Sequence, residues 1–137
     1  ITTGVYQNIN NGGQEIPANP SFFQYYRMQE SRPATDTSVF ASKDKLEVLS
    51  DCTNPAWAGQ YNPLTDCGIN GIATGYRDDS ITYAHLIDTI DTHHPRLVLV
   101  NFKEPDAAAH SGSWVAYINQ MKKVDNYIGQ LWDFFTV

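Results

Sequence analysis

Apolar side chains recur at helical spacing in four stretches of the chain and run together, strand-like, in two. After Asn19-Pro20, where Asn can cap and Pro suits a first helical position, Phe22, Phe23, Tyr26 and Glu30 follow at helical spacing until Ser31-Arg32-Pro33. Thr37 to Ala41 is short and partly β-branched or aromatic, which predicts a buried strand. Ser42 is placed to cap a short helix over 43–50 with Leu46 and Leu49 turned inward. Ser80 can cap the next helix, on which Tyr83, Ile87 and Ile90 share a face until His93-His94-Pro95. Arg96 to Phe102 has the continuous apolar character of a strand covered on both faces. The longest stripe comes last: Trp114, Ile118, Met121, Val124, Ile128, Leu131 and Phe135 fall on one helix, with Ser113 as its cap.

Two stretches lack such a pattern. The opening residues, ending in Asn10-Asn11-Gly12-Gly13, read as a helix tail or turn running into a loop. Residues 51–79, rich in Asn, Gly, Pro, Thr and Asp, read as one long loop of the kind that carries selectivity on rigid scaffolds. The order helix, strand, helix, loop, helix, strand, helix predicts an α/β fold with a parallel sheet between helices. Two strands make a thin sheet, so strands are expected to be missing.

Composition narrows the function classes. The 137 residues are 42% hydrophobic, enough for a core and too many for a disordered chain. Nine basic side chains against 15 acidic ones, with no basic cluster, argue against binding nucleic acid or anionic lipid through charge. No apolar run approaches the roughly 20 residues of a membrane span. The chain opens on Ile1 rather than Met, which is read as the mark of a processed, trimmed or fragmentary chain.

Chemistry concentrates in Asn101 to Gly112, where a strand ends, Pro105 breaks the backbone, and Asp106 and His110 follow with three alanines between them. Ligands of open α/β sheets bind at the carboxyl ends of strands. A helical turn here would put carboxylate and imidazole on one side, a donor pair suited to zinc or a similar divalent cation. The local alternative is that Asp106 caps the following turn and His110 is a surface or packing histidine. A catalytic zinc ordinarily takes three protein ligands, so the pair would be part of a site.

The run from Leu97 to Trp132 resembles the alkaline phosphatase superfamily, which includes phosphodiesterases, nucleotide pyrophosphatases, phosphonoacetate hydrolases and sulfatases. The shared pattern is an apolar strand, Glu-Pro-Asp, small residues and His-x-Gly, then a helix with a Tyr and an Asp, filled here by Tyr117 and Asp125. Thr3-Gly4-Val5-Tyr6 is similar to the end of the family's helix behind the nucleophile, and Lys43-Asp44-Lys45-Leu46 to a further segment of bacterial members. The resemblance implies a two-metal hydrolase of phosphate or sulfate esters, with Asp106 and His110 as ligands of one metal, expected to be zinc. The nucleophile is then expected upstream of Ile1, and an Asp-His-Gly motif, absent from the chain, after Val137. Thr2 and Thr3 fall in the helix behind the nucleophile rather than at it. Residues 1–137 are thus expected to form a single partial catalytic domain, inactive alone, from an exported, periplasmic or cell-surface parent.

Each remaining candidate also has a local reading. His93 and His94 could bind metal or act as acid and base, but a helix C-terminus by itself suits histidine. His85 is a boundary residue beside the Tyr83–Ile87 face, and Asp78-Asp79 a solvated turn. Tyr25, Tyr26, Trp57, Tyr61 and Tyr76 could form an aromatic platform for sugars or nucleosides, as in a secreted carbohydrate-binding module, or could simply pack in a structural α/β domain. Cys52 and Cys67 are two ordinary thiols if reduced. Their even count in one loop, with the exported relatives the resemblance implies, favours a disulfide worth roughly 3 kcal/mol.

Overall fold

The computed structural model describes residues 2–136. Helix α1 (Phe22–Glu30) leads into a single 3-10 turn at Ala34–Asp36 and strand β1 (Thr37–Ala41). A longer 3-10 segment (Asp44–Ser50), strand β2 (Leu64–Cys67) and helix α2 (Asp79–His93) follow. Strand β3 (Leu97–Asn101) and helices α3 (Glu104–His110) and α4 (Trp114–Thr136) complete the order. The sheet has three parallel strands in the order β2-β1-β3, so the fold is the expected helix-flanked parallel α/β arrangement.

β1 is the centre of the molecule, and all five of its residues are buried. On one face Val39 and Ala41 join Phe23 and Cys67, with Leu46, Leu97 and Leu99 against them. On the other, Phe40 packs with Leu86 and Ile90, flanked by Val98 and Leu131. The strand predicted to be covered on both faces was β3. It is instead an edge of the described sheet, only partly buried, because α1, the 3-10 segment and α2 converge on β1.

The third strand was hidden inside the predicted loop. Leu64-Thr65-Asp66-Cys67 is four residues long and half polar, so it carries little strand signal of its own. Its pairing with Ser38 to Ala41 makes it a strand. Directly after it, Gly68 sits at φ +63°, where a Cβ would lie 2.4 Å from both the Asp44 Cβ and the Gly75 carbonyl oxygen, so only glycine fits.

Several helix boundaries move for identifiable reasons. α1 is capped by Ser21, not Asn19: Ser21 and Gln24 form a reciprocal capping box. Its buried residues are Phe23 and Gln24, while Phe22 is exposed. Residues 44–50 are 3-10 rather than α, with Lys43 at the cap position. Ser42 bonds the Thr82 hydroxyl at 2.8 Å instead. α2 starts at Asp79, ahead of the expected Ser80 cap, and buries Asp79, Thr82, Leu86 and Ile90; of the expected face Ile90 is buried, while Tyr83 and Ile87 are half-buried. Ser113 does cap α4, accepting from the Ala116 amide at 3.2 Å.

The α4 stripe is the largest departure. Only Tyr127 of that helix is buried, stacked on Tyr83 at 4.5 Å and tilted against Phe102. Of the stripe, Trp114, Ile128 and Phe135 are 57–71% exposed and Met121 is exposed too, whereas Ile118, Val124 and Leu131 are half-buried, Leu131 against the Phe40 cluster. Among the described residues, no helix is long and apolar enough to cross a membrane.

Candidate metal centre

β3 ends at Asn101, and the chain turns at Lys103 into α3, with Pro105 in its first turn, where a missing N–H costs nothing. The short helix places Asp106 and His110 four residues apart on one side. His110 Nε2 lies 3.5 Å from Asp106 Oδ1, and both side chains reach solvent. Asp106 stands inside the first turn, and Lys103 occupies the cap position, so the capping alternative does not hold.

The second Asp106 oxygen holds a cation. Lys43 Nζ, just beyond the end of β1, lies 2.5 Å from Asp106 Oδ2. The parallel register pairs Ala41 with Asn101, so the carboxyl ends of β1 and β3 deliver the two residues to one place. Lys43 is the first cause holding the Asp106 carboxyl below its ordinary range, and His110 adds a smaller contribution. At the junction of α3 and α4, Ala109, Gly112, Ser113, Trp114 and Tyr117 line a cleft of about 250 Å3, to which neither Asp106 nor His110 contributes. Tyr117 lies against Trp114 at 5.6 Å, while Asp125 is exposed further along α4.

This donor set fits part of a divalent-metal site. An exposed carboxylate and imidazole are adjacent, and the carboxylate already holds an ammonium group as a stand-in cation. Among the described residues, no group of three or more His, Cys, Asp or Glu side chains converges on a common point.

Most other sequence candidates are dispersed. Thr2 is buried, its carbonyl accepting from the Phe22 amide, and Thr3 bonds the Val5 carbonyl. His93 and His94 are exposed at the end of α2, where His94 adopts φ +50° and its N–H closes the helix onto Ile90. The aromatic platform divides: Tyr25, Trp57 and Tyr61 pack on one another at steep angles, Tyr26 meets Arg32, and Tyr76 faces Lys43. Cys52 and Cys67 are not joined. Both are buried free thiols, and Cys67 is committed to β2 with its Sγ 3.8 Å from the Val39 carbonyl. Burial pushes the Cys67 thiol up to about 12.

Three features had no clear sequence signal. Lys43 belonged to a noticed run, but no spacing rule joins it to Asp106 across 63 positions. Asp66 is held by the almost fully buried Arg77 and by His85 Nδ1 at 2.7 Å, which ties the boundary histidine to a charged cluster at the end of β2. Asp79, expected in a solvated turn, is fully buried, and its carboxylate accepts from the Lys103 and Glu104 amides.

The parallel α/β layer places Asp106 and His110 just past the carboxyl end of β3, where ligands of open α/β sheets bind. A family model for the Metalloenzyme superfamily matches residues 23–136. The chain belongs to that family, which lies within the alkaline phosphatase-like superfamily, and metal-dependent catalysis is the family's property. No curated protein and no solved structure matches the chain.

Proposed function

We propose that this chain is part of a metal-dependent hydrolase of phosphate mono- or diesters and contributes Asp106 and His110 as two ligands of one metal. The carrying observation is their adjacency on α3, with the outer Asp106 oxygen already holding a cation. Family membership supports a divalent metal, and a carboxylate with an imidazole suits zinc. When bound, such a metal stabilises charge on the oxygens of a phosphoryl group. The residues of this chain bind and orient it. Two ligands fall short of a catalytic set, so the chain alone is proposed to be inactive, as one partial catalytic domain of an exported parent. Sulfate esters are the neighbouring substrate class.

The test is zinc and manganese titration by calorimetry. The wild-type chain binds weakly, and Asp106→Ala and His110→Ala each lower the affinity at least tenfold. Unchanged affinity in both variants refutes the assignment.

A further inference from the structure

We propose that Asp79 is the positioning residue of the Asp106–His110 pair, an inference that rests on the metal reading above for its consequence though not for its geometry. α3 packs on α4, but it buries none of its own residues to fix its orientation. It has seven residues, none of them buried, and its cap residue Lys103 supplies no side-chain cap. Isolated helices shorter than about 12 residues are marginal in water. What pins this one comes from another element. Asp79, the first residue of α2, is fully buried. Its two carboxylate oxygens accept from the Lys103 amide at 2.8 Å and the Glu104 amide at 2.9 Å, two of the donors a helix start leaves unsatisfied.

The contact is reciprocal. Glu104 Oε1 accepts from the Asp79 amide at 3.2 Å, so each residue caps the other's helix. The other oxygen, Glu104 Oε2, takes Lys123 Nζ of α4 at 2.8 Å. Three helices therefore meet at one point, two residues before Asp106. Slipping α3 by one residue turns it about 100°, which would carry Asp106 away from Lys43 and from the strand ends. A buried carboxylate is costly unless its oxygens are bonded, and here both bonds are spent on the start of α3.

The test uses the full chain with Asp79→Ala, Asp79→Asn, Asp106→Ala and the double variant Asp79→Ala/Asp106→Ala. Zinc titration is followed on the His110 ring signals by NMR, and amide exchange of 107–111 is measured in the metal-free protein. Loss of outer contacts that orient a metal ligand typically costs 10–100-fold in affinity. Asp79→Ala is expected to lose that much. Asp79→Asn, which keeps one acceptor oxygen, loses less and carries the test if the alanine variant does not fold. In the Asp106→Ala background Asp79→Ala is expected to add little, because its effect passes through Asp106. Amides 107–111 exchange at least tenfold faster in Asp79→Ala while those of β1 keep their protection. The proposal is overturned by folded Asp79 variants with zinc affinity within twofold of wild type, by an equal loss with and without Asp106, or by unchanged exchange in α3. If the wild-type chain takes no zinc, the metal reading fails, and the exchange measurement alone decides whether Asp79 positions α3.

Discussion

Lys43 Nζ sits 2.5 Å from Asp106 Oδ2, bridging the ends of β1 and β3. An ammonium group there competes with any metal for the same carboxylate. Lys43→Met should therefore raise zinc affinity about 3- to 10-fold, an effect of the size that one neighbouring charge exerts. Asp106 is exposed and Lys43 only half-buried, so the melting temperature should move little. Calorimetry with parallel thermal melts checks both statements. Lower affinity in Lys43→Met would show that the lysine supports the site instead.

Arg77 is the buried cation whose loss should cost most. Its side chain is 3% exposed and bonds Asp66, the Thr82 hydroxyl and the Asp66 carbonyl. Arg77→Ala leaves Asp66, among the described residues, with no partner but the His85 ring, and breaking a buried pair costs about 3–5 kcal/mol. Arg77→Lys should recover only part of this, since one ammonium cannot replace the fork. Urea unfolding measures both.

The two thiols separate a closed loop from a packed core. Cys52 and Cys67 should resist a thiol reagent in the native protein and react fully in denaturant without a reductant. Burial raises the Cys67 thiol from 9.0 to about 12. Because the folded state holds the proton more tightly, this stability is complete below pH 9 and is lost as pH rises toward about 12. At 1.36 kcal/mol per unit, that loss reaches about 4 kcal/mol. Alkaline unfolding curves of wild type and Cys67→Ala test the sign.

The fold class and the adjacency of Asp106 and His110 were legible because both rest on local pattern. Thr37 to Ala41 declares itself as a strand, and the Asp106–His110 spacing needs only one turn of helix. What escaped depends on distant partners. β2 is a strand because β1 pairs with it, and Asp79 is buried because the Lys103 and Glu104 amides meet it. The α4 stripe was read correctly as apolar but is only partly covered, since periodicity shows which residues share a face and not what covers that face.

That distinction yields a further prediction for α4. Tyr127→Ala removes a stacked, buried ring and should cost about 3 kcal/mol, whereas Trp132→Gln, at a position 71% exposed, should stay within about 0.5 kcal/mol. Denaturant melts of the two variants check the contrast.

The central claim is that Asp106 and His110 hold the metal, and X-ray absorption at the zinc edge of the loaded chain tests it most directly. The expected first shell is nitrogen and oxygen only, with one imidazole contribution that disappears in His110→Ala. Sulfur scattering, or an imidazole signal that survives in His110→Ala, would place the metal elsewhere and contradict the account.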